Sequence, residues 1–256
     1  MAVPPISDAP VTLQPGAWFL ADAHYSRFKP RLYDFLNALG PEDLPPQLVL
    51  MGDIFDLLFG NAPNSIEPNR KMVDLLLRIS ERVETIYLEG NHDFGLREIF
   101  GDAMRIVPRS EQPLMAEFGG RRIALHHGDI LQGLGYELYT AWIRNRWVDR
   151  ALNRIDTRKN GAIIDWLERY NAKKRPCYRI EGFEEKMRER MARLRRRWRF
   201  DLWIDGHYHQ NVRYRFDGVE YVNLPAFACD GTYTILKGSG GAPELEVAKD
   251  ENGIEK

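Results

Sequence analysis

Residues 85–95, Thr85-Ile86-Tyr87-Leu88-Glu89-Gly90-Asn91-His92-Asp93-Phe94-Gly95, run from an apolar, β-rich stretch straight into an amide, an imidazole and a carboxylate. A tight turn has uses for the glycine, the asparagine and the aspartate, but none for the histidine. The same arrangement recurs four times. AWFLA leads to Asp22 and His24, QLVLM to Asp53, RIAL to His126 and His127, and LWI to His207 and His209. Every histidine of the chain falls in one of these strings, always beside an Asp, an Asn or another His.

Apolar runs of this length bounded by glycine read as buried strands. Between them, residues 69–83, NRKMVDLLLRISERV, set Met72, Leu75, Leu76 and Ile79 on one face of a helix. Strands alternating with helices predict an α/β fold with much parallel pairing. Sites in such sheets form beyond the carboxyl ends of the strands, where all five strings lie. Asp, His and Asn together are ligands for a borderline metal, and the lack of cysteine in the strings argues against a structural thiolate site.

At 256 residues and 44% hydrophobic, the chain can bury a full core with room for an inserted subdomain. No apolar run approaches the roughly twenty residues that span a bilayer. The start, MAVPPISDAP, does not read as a secretory signal. Two cysteines, Cys177 and Cys229, give no disulfide framework and fit a reducing cytoplasm. Charge is unevenly spread: residues 136–200 hold 19 Lys and Arg against 9 Asp and Glu, a balance of +10, and the remainder carries −11. Such a split marks a segment with its own task. The expected division is therefore a core of residues 1–135 and 201–237, an insert over 136–200, and a polar, Gly-rich, loosely ordered tail over 238–256.

Asp22-x-His24, Gly52-Asp53, Gly90-Asn91-His92-Asp93, His127-Gly128-Asp129 and Gly206-His207-x-His209 follow one another in the order found in the calcineurin-like metallophosphoesterases, which the chain resembles from residue 17 to about 237. The resemblance implies a four-layer α/β/β/α sandwich of two mixed sheets with an inserted helical lid. It also implies a hydrolase using two divalent metal ions, manganese foremost, with iron, zinc or magnesium as other candidates. Asp22, His24 and His209 would hold one ion, Asn91, His127 and His207 the second, with Asp53 bridging both. Two cations that close can clamp a phosphoryl group and acidify a water for in-line attack. His207 and His209, in an extended segment, would point to the same side, while His126 would face away from His127. By the same resemblance His92 is the phosphate-facing imidazole, acting on phosphoryl oxygens or the leaving group. Asp93 then either orients His92 or caps the turn, and Asp56 and Asp129 support ligands or cap turns.

The insert reads as three helices. GYELYTAWIRNRWVDRALNRID carries Tyr136, Tyr139, Trp142, Ile143 and Trp147 on one stripe; GAIIDWLERYNA (161–172) carries Ile163, Ile164 and Leu167; residues 183–199 run from acids to arginines, as the helix dipole favours. A packed insert with a solvated basic face is the plain reading. A lid over the metals, with Tyr139, Trp142, Ile143 and Trp147 against the substrate, is the functional one.

Length, motif order and insert are similar to one branch of the family, the UDP-2,3-diacylglucosamine pyrophosphatases of lipid A synthesis. That likeness implies a lipid-linked nucleotide sugar as substrate, and a cytoplasmic protein in peripheral contact with the inner membrane. One departure stands out: that branch has Gly-Asn-Arg-Asp, and here His92 takes the place of the arginine. A nuclease or nucleotide phosphodiesterase could use the same metals with the basic insert along a phosphate backbone. A non-catalytic binding scaffold would tolerate the loss of ligands, and none of the expected set is missing.

Overall fold

Apolar residues that alternate along the strands decide which layer each strand face meets. In the computed structural model, which describes residues 10–174, 177–238 and 243–250, Val49 and Ile86 point to one side of their sheet and Leu48, Leu50 and Tyr87 to the other. The first side meets Ile123, Leu125, Leu202 and Ile204 of a second sheet. The other side receives Leu32, Phe35 and Leu36 of helix Arg31–Ala38 and Met72, Leu75, Leu76 and Ile79 of helix Arg70–Ser80. Each such side chain, fully buried, stabilises the fold by about 1.5–3 kcal/mol.

The first sheet has six strands in the order Glu244–Lys249, Thr232–Lys237, Trp18–Leu20, Gln47–Leu50, Glu84–Leu88 and Arg105–Val107. The last four are parallel, and the two C-terminal strands join antiparallel. The second sheet runs Val11–Thr12, Leu114–Phe118, Arg121–His126, Leu202–Asp205, Val219–Asn223 and Val212–Phe216, again mixed. On its outer face Ala124, Trp203 and Tyr221 meet Phe183, Met187, Met191 and Leu194 of helix Phe183–Leu194. The result is helices, sheet, sheet, helix. All five motif strings leave the carboxyl ends of strands, three from the first sheet and two from the second, so face-to-face packing brings them together.

The structure corrects several expectations. The first stretch of the insert is two helices, Leu134–Ile143 and Arg146–Arg158, because Asn145 leaves the helical conformation and its side chain caps the Trp147 N–H. Helix Phe183–Leu194 is the fourth layer of the sandwich, since its apolar face lies on the second sheet. The tail contributes an edge strand, Glu244–Lys249, paired along its whole length with Thr232–Lys237; residues 239–242 and 251–256 lie outside the described residues. Cys177 and Cys229 are joined in a disulfide, so the compartment inferred from their number loses its footing. Their 52-residue separation closes because the segment leaving the insert returns beside the short helix Phe227–Asp230. Among the described residues no helix is long and apolar enough to cross a membrane.

Candidate metal centre

The turns after the strands are sharp, and the backbone shows it. Asp22, His24, Asp53, His207 and His209 all have positive φ, between 46° and 64°. For residues with a Cβ this left-handed region is disfavoured by roughly 1–2 kcal/mol each, and such strain gathers at functional sites. His207 and His209 are therefore not in an extended segment, as the sequence suggested; successive left-handed turns aim them instead. Glycines preceding the candidate ligands Asn91 and His207 permit close approach. A Cβ on Gly90 would lie 2.2 Å from Asp53 Oδ1, and one on Gly206 2.5 Å from Asp22 Oδ2.

Asp22, His24 and His209 offer ligand atoms within 4.8 Å of one another, as do Asp53, His127 and His207. Asn91 Oδ1 sits 3.2 Å from His127 Nε2, beside the second group. Asp53 also closes a group with His24 and His92, which places its carboxylate between the two clusters. Asp22 Oδ1 and His24 Nδ1 are buried and make no well-aligned hydrogen bond; their nearest charged neighbours are His209 Nε2 at 3.3 Å and Asp56 Oδ1 at 3.5 Å, a loose pairing that leaves their lone pairs open to a cation. The donors are carboxylate, imidazole and amide, a set suited to divalent manganese, iron or zinc. Met51 O lies 2.9 Å from His127 Nδ1, which fixes a proton there and leaves Nε2 as the atom that could meet a cation.

The Asp93 carboxylate makes no hydrogen bond to the His92 ring among the described residues. Fully buried, it accepts the N–H groups of Asp53, Ile54, Phe55 and Gly90 and the Tyr87 hydroxyl. It pins the Asp53 loop to the Asn91 loop, and the expectation that it orients His92 is withdrawn. That task falls to the Asp56 carbonyl, 2.8 Å from His92 Nδ1, which leaves Nε2 as the free ring nitrogen. His126, as its neighbour's opposite, stacks on Trp203 and accepts the Gly128 N–H. Asp129 takes Arg109 Nε at 2.7 Å.

Electrostatics follow from this crowding. Burial alone would raise Asp53, yet the His127 and His92 imidazoles hold it well below the usual carboxylate range. Burial works to lower His127, but the Asp53 carboxylate overrides it and lifts the imidazole to about 10. Burial, reinforced by His127, takes His207 down to about 4. The site thus attracts positive charge strongly enough to keep a proton on His127, which a cation bound there would have to displace. Burial and the Asp53 carboxylate push Asp93 up to about 7. Four amides and a phenol donating to its two oxygens leave no room for an acid hydrogen, so we assign it as ionised.

Two adjoining cavities share Asn91, His92 and Lys174. One, about 530 Å³, holds the candidate ligands His24, Asp53, His207 and His209 with Lys29, Lys174, Lys186, Asn171 and Tyr208 around them. The other, about 380 Å³, is apolar and lies between Leu57, Phe59 and Phe94 of the core and Tyr139, Ile143, Leu152, Ile164 and Leu167 of the insert. Tyr139 and Ile143 line it. Trp142 and Trp147 do not; they are 55% and 64% exposed, Trp142 on the outward side of the helix that carries Tyr139 and Ile143, and Trp147 on the next helix, beyond the break at Asn145. The lysines and Asn171 went unread, since single polar residues far apart in sequence carry no local pattern.

A model of the calcineurin-like phosphoesterase family matches residues 17–211. A UDP-2,3-diacylglucosamine hydrolase of Blochmanniella pennsylvanica is 23% identical over 203 residues, covering 75% of this chain and 78% of that protein. The enzyme of the same name from Coxiella burnetii (strain RSA 331 / Henzerling II) is 25% identical over 201 residues, covering 75% and 79%. Among solved structures, the phosphoesterase YfcE of E. coli superposes with a TM-score of 0.45 at 14% identity, covering 93% of this chain and 94% of that one. With the strand-end ligand strings, two mixed sheets and a matched span of most of its length, this chain belongs to the calcineurin-like phosphoesterase family.

Proposed function

We propose that the protein hydrolyses the diphosphate of UDP-2,3-diacylglucosamine to UMP and 2,3-diacylglucosamine 1-phosphate. The observation that carries this reading is the junction of a polar pocket holding the candidate ligands with an apolar cavity between core and insert. A phosphate ester with acyl chains needs both, side by side. In this reading Asp22, His24 and His209 would hold one divalent ion, Asn91, His127 and His207 would hold a second, and Asp53 would serve both. When bound, such ions, manganese first among the candidates, would supply the positive charge that phosphoryl transfer to water needs. His92 offers Nε2 to the phosphoryl or leaving-group oxygen, its ring held by the Asp56 carbonyl. Lys29, Lys174 and Lys186 meet the remaining phosphate charge.

A lipid substrate also favours peripheral contact with the inner membrane, and exposed Leu134, Leu138 and Trp142 on the first insert helix suit it. The disulfide is the feature that fits a reducing cytoplasm least. Ile143→Asp tests the substrate. Each buried methylene is worth about 0.8 kcal/mol, so losing two or three contacts should lower kcat/KM for the diacylated nucleotide sugar by about 10- to 60-fold. Hydrolysis of bis(p-nitrophenyl) phosphate should change less than threefold. Equal losses on both substrates would remove the acyl cavity from the reading. Salt-sensitive binding and cleavage of nucleic acid would replace it with the nuclease alternative.

A further inference from the structure

Between His207 and His209 stands Tyr208, 8% exposed, lining the polar pocket. Its ring lies under helix Phe183–Leu194, with Phe183 at 5.2 Å between centroids and the Arg190 guanidinium 5.3 Å from the ring centre. Two groups donate to its hydroxyl oxygen: Arg190 Nη1 at 2.6 Å and Gln132 Nε2 at 2.7 Å. A phenol has one hydrogen, and its oxygen is saturated by two such donors, neither of which can accept in return through those nitrogens. The Tyr208 hydrogen must therefore go to a third partner. Among the described residues it donates to none. Arg190 cannot turn away to change this, being 5% exposed and tied also to the Gly128 carbonyl, next to His127.

We infer that Tyr208 is a further catalytic residue: its O–H donates to a phosphoryl oxygen of the substrate in the pocket, with Arg190 and Gln132 as the positioning residues that force it to act as a donor. The inference rests on the reading that this pocket hydrolyses a phosphate ester, but not on the lipid. A donor held in place before charge develops on phosphorus costs nothing to reorganise during reaction, which is why such groups accelerate transfer.

Tyr208→Phe in the manganese-loaded protein is the test, read with inorganic phosphate by calorimetry and with bis(p-nitrophenyl) phosphate by rate. Both ions should remain bound. Phosphate affinity should fall about 10-fold and kcat about 10- to 100-fold, within the range or just below that seen when one such donor is removed. Unchanged affinity and kcat would overturn the inference. So would a loss of bound metal in step with activity, which is what a merely structural keystone predicts. Should the variant not fold, the ¹³Cζ resonance of Tyr208 in the unaltered protein decides: it moves on adding phosphate if the phenol donates, and a fixed resonance refutes the inference. An enzyme inert toward the diacylated nucleotide sugar, yet impaired by Tyr208→Phe on the small probes, would refute the substrate and leave this donor standing.

Discussion

Asp93→Asn separates the two roles an aspartate in this position can have. In the structure Asp93 Oδ1 accepts the Asp53 and Gly90 N–H groups, and Oδ2 accepts those of Ile54 and Phe55 and the Tyr87 hydroxyl. The carboxamide keeps one acceptor oxygen and turns an NH₂ toward donors. With the amide oxygen facing Asp53 and Gly90, the Ile54 and Phe55 amides lose their partner, while the Tyr87 hydroxyl can rotate. Each orphaned buried donor costs about 1–3 kcal/mol, so the variant should be destabilised by about 2–6 kcal/mol. In a chain of this size that lowers Tm by roughly 4–24 °C. Thermal unfolding followed by circular dichroism on the metal-free protein measures it, and elemental analysis should show reduced metal content because the Asp53 loop is released. A variant with unchanged Tm and full metal content, but kcat down by a factor of a hundred, would refute this reasoning and restore Asp93 as a direct partner in catalysis.

Asp53→Asn weakens the group shared by both clusters, and should lower occupancy of both and abolish hydrolysis, as metal analysis and rate together will show. His92→Ala should keep its metal and lose about 10²–10⁴-fold in kcat; metal lost in parallel would make His92 a ligand, which its place beside His24 and Asp53 permits a test of. For the metal-free protein a pH trend follows from His127, raised to about 10 from an unfolded value near 6.5. A raised histidine contributes stability that is complete below the unfolded value and lost as pH climbs through the folded one. Tm of the metal-free protein should therefore fall between pH 7 and 10, and saturating manganese should flatten that slope; a flat metal-free profile would contradict the Asp53–His127 coupling.

Much of this was legible because it is local. A candidate ligand and the apolar strand before it are contiguous, with a glycine between them at Asp53, Asn91 and His207, so Asp22, Asp53, Asn91, His127 and His207 could be placed at strand ends from the chain alone. What partners each ligand is not local. His92 is held by a backbone carbonyl 36 residues away, and a carbonyl has no residue type to read. Asp93 looked like a helper for its neighbour because sequence adjacency was the only guide, whereas the fold brings four amides and a phenol to it. The stripe from Tyr136 to Trp147 kept its periodicity through Asn145, so periodicity hid the cap that breaks the helix. In the tail the signal was present: Glu244-Leu245-Glu246-Val247 alternates as an edge strand does, but its polar surroundings outweighed it.

The most direct measurement of the central claim is product analysis by mass spectrometry after incubating the manganese-loaded protein with UDP-2,3-diacylglucosamine in detergent micelles. The account predicts UMP and 2,3-diacylglucosamine 1-phosphate in equal amounts, formed by the unaltered protein and not by Asp53→Asn. Intact substrate, alongside ready hydrolysis of bis(p-nitrophenyl) phosphate by the same preparation, would contradict it.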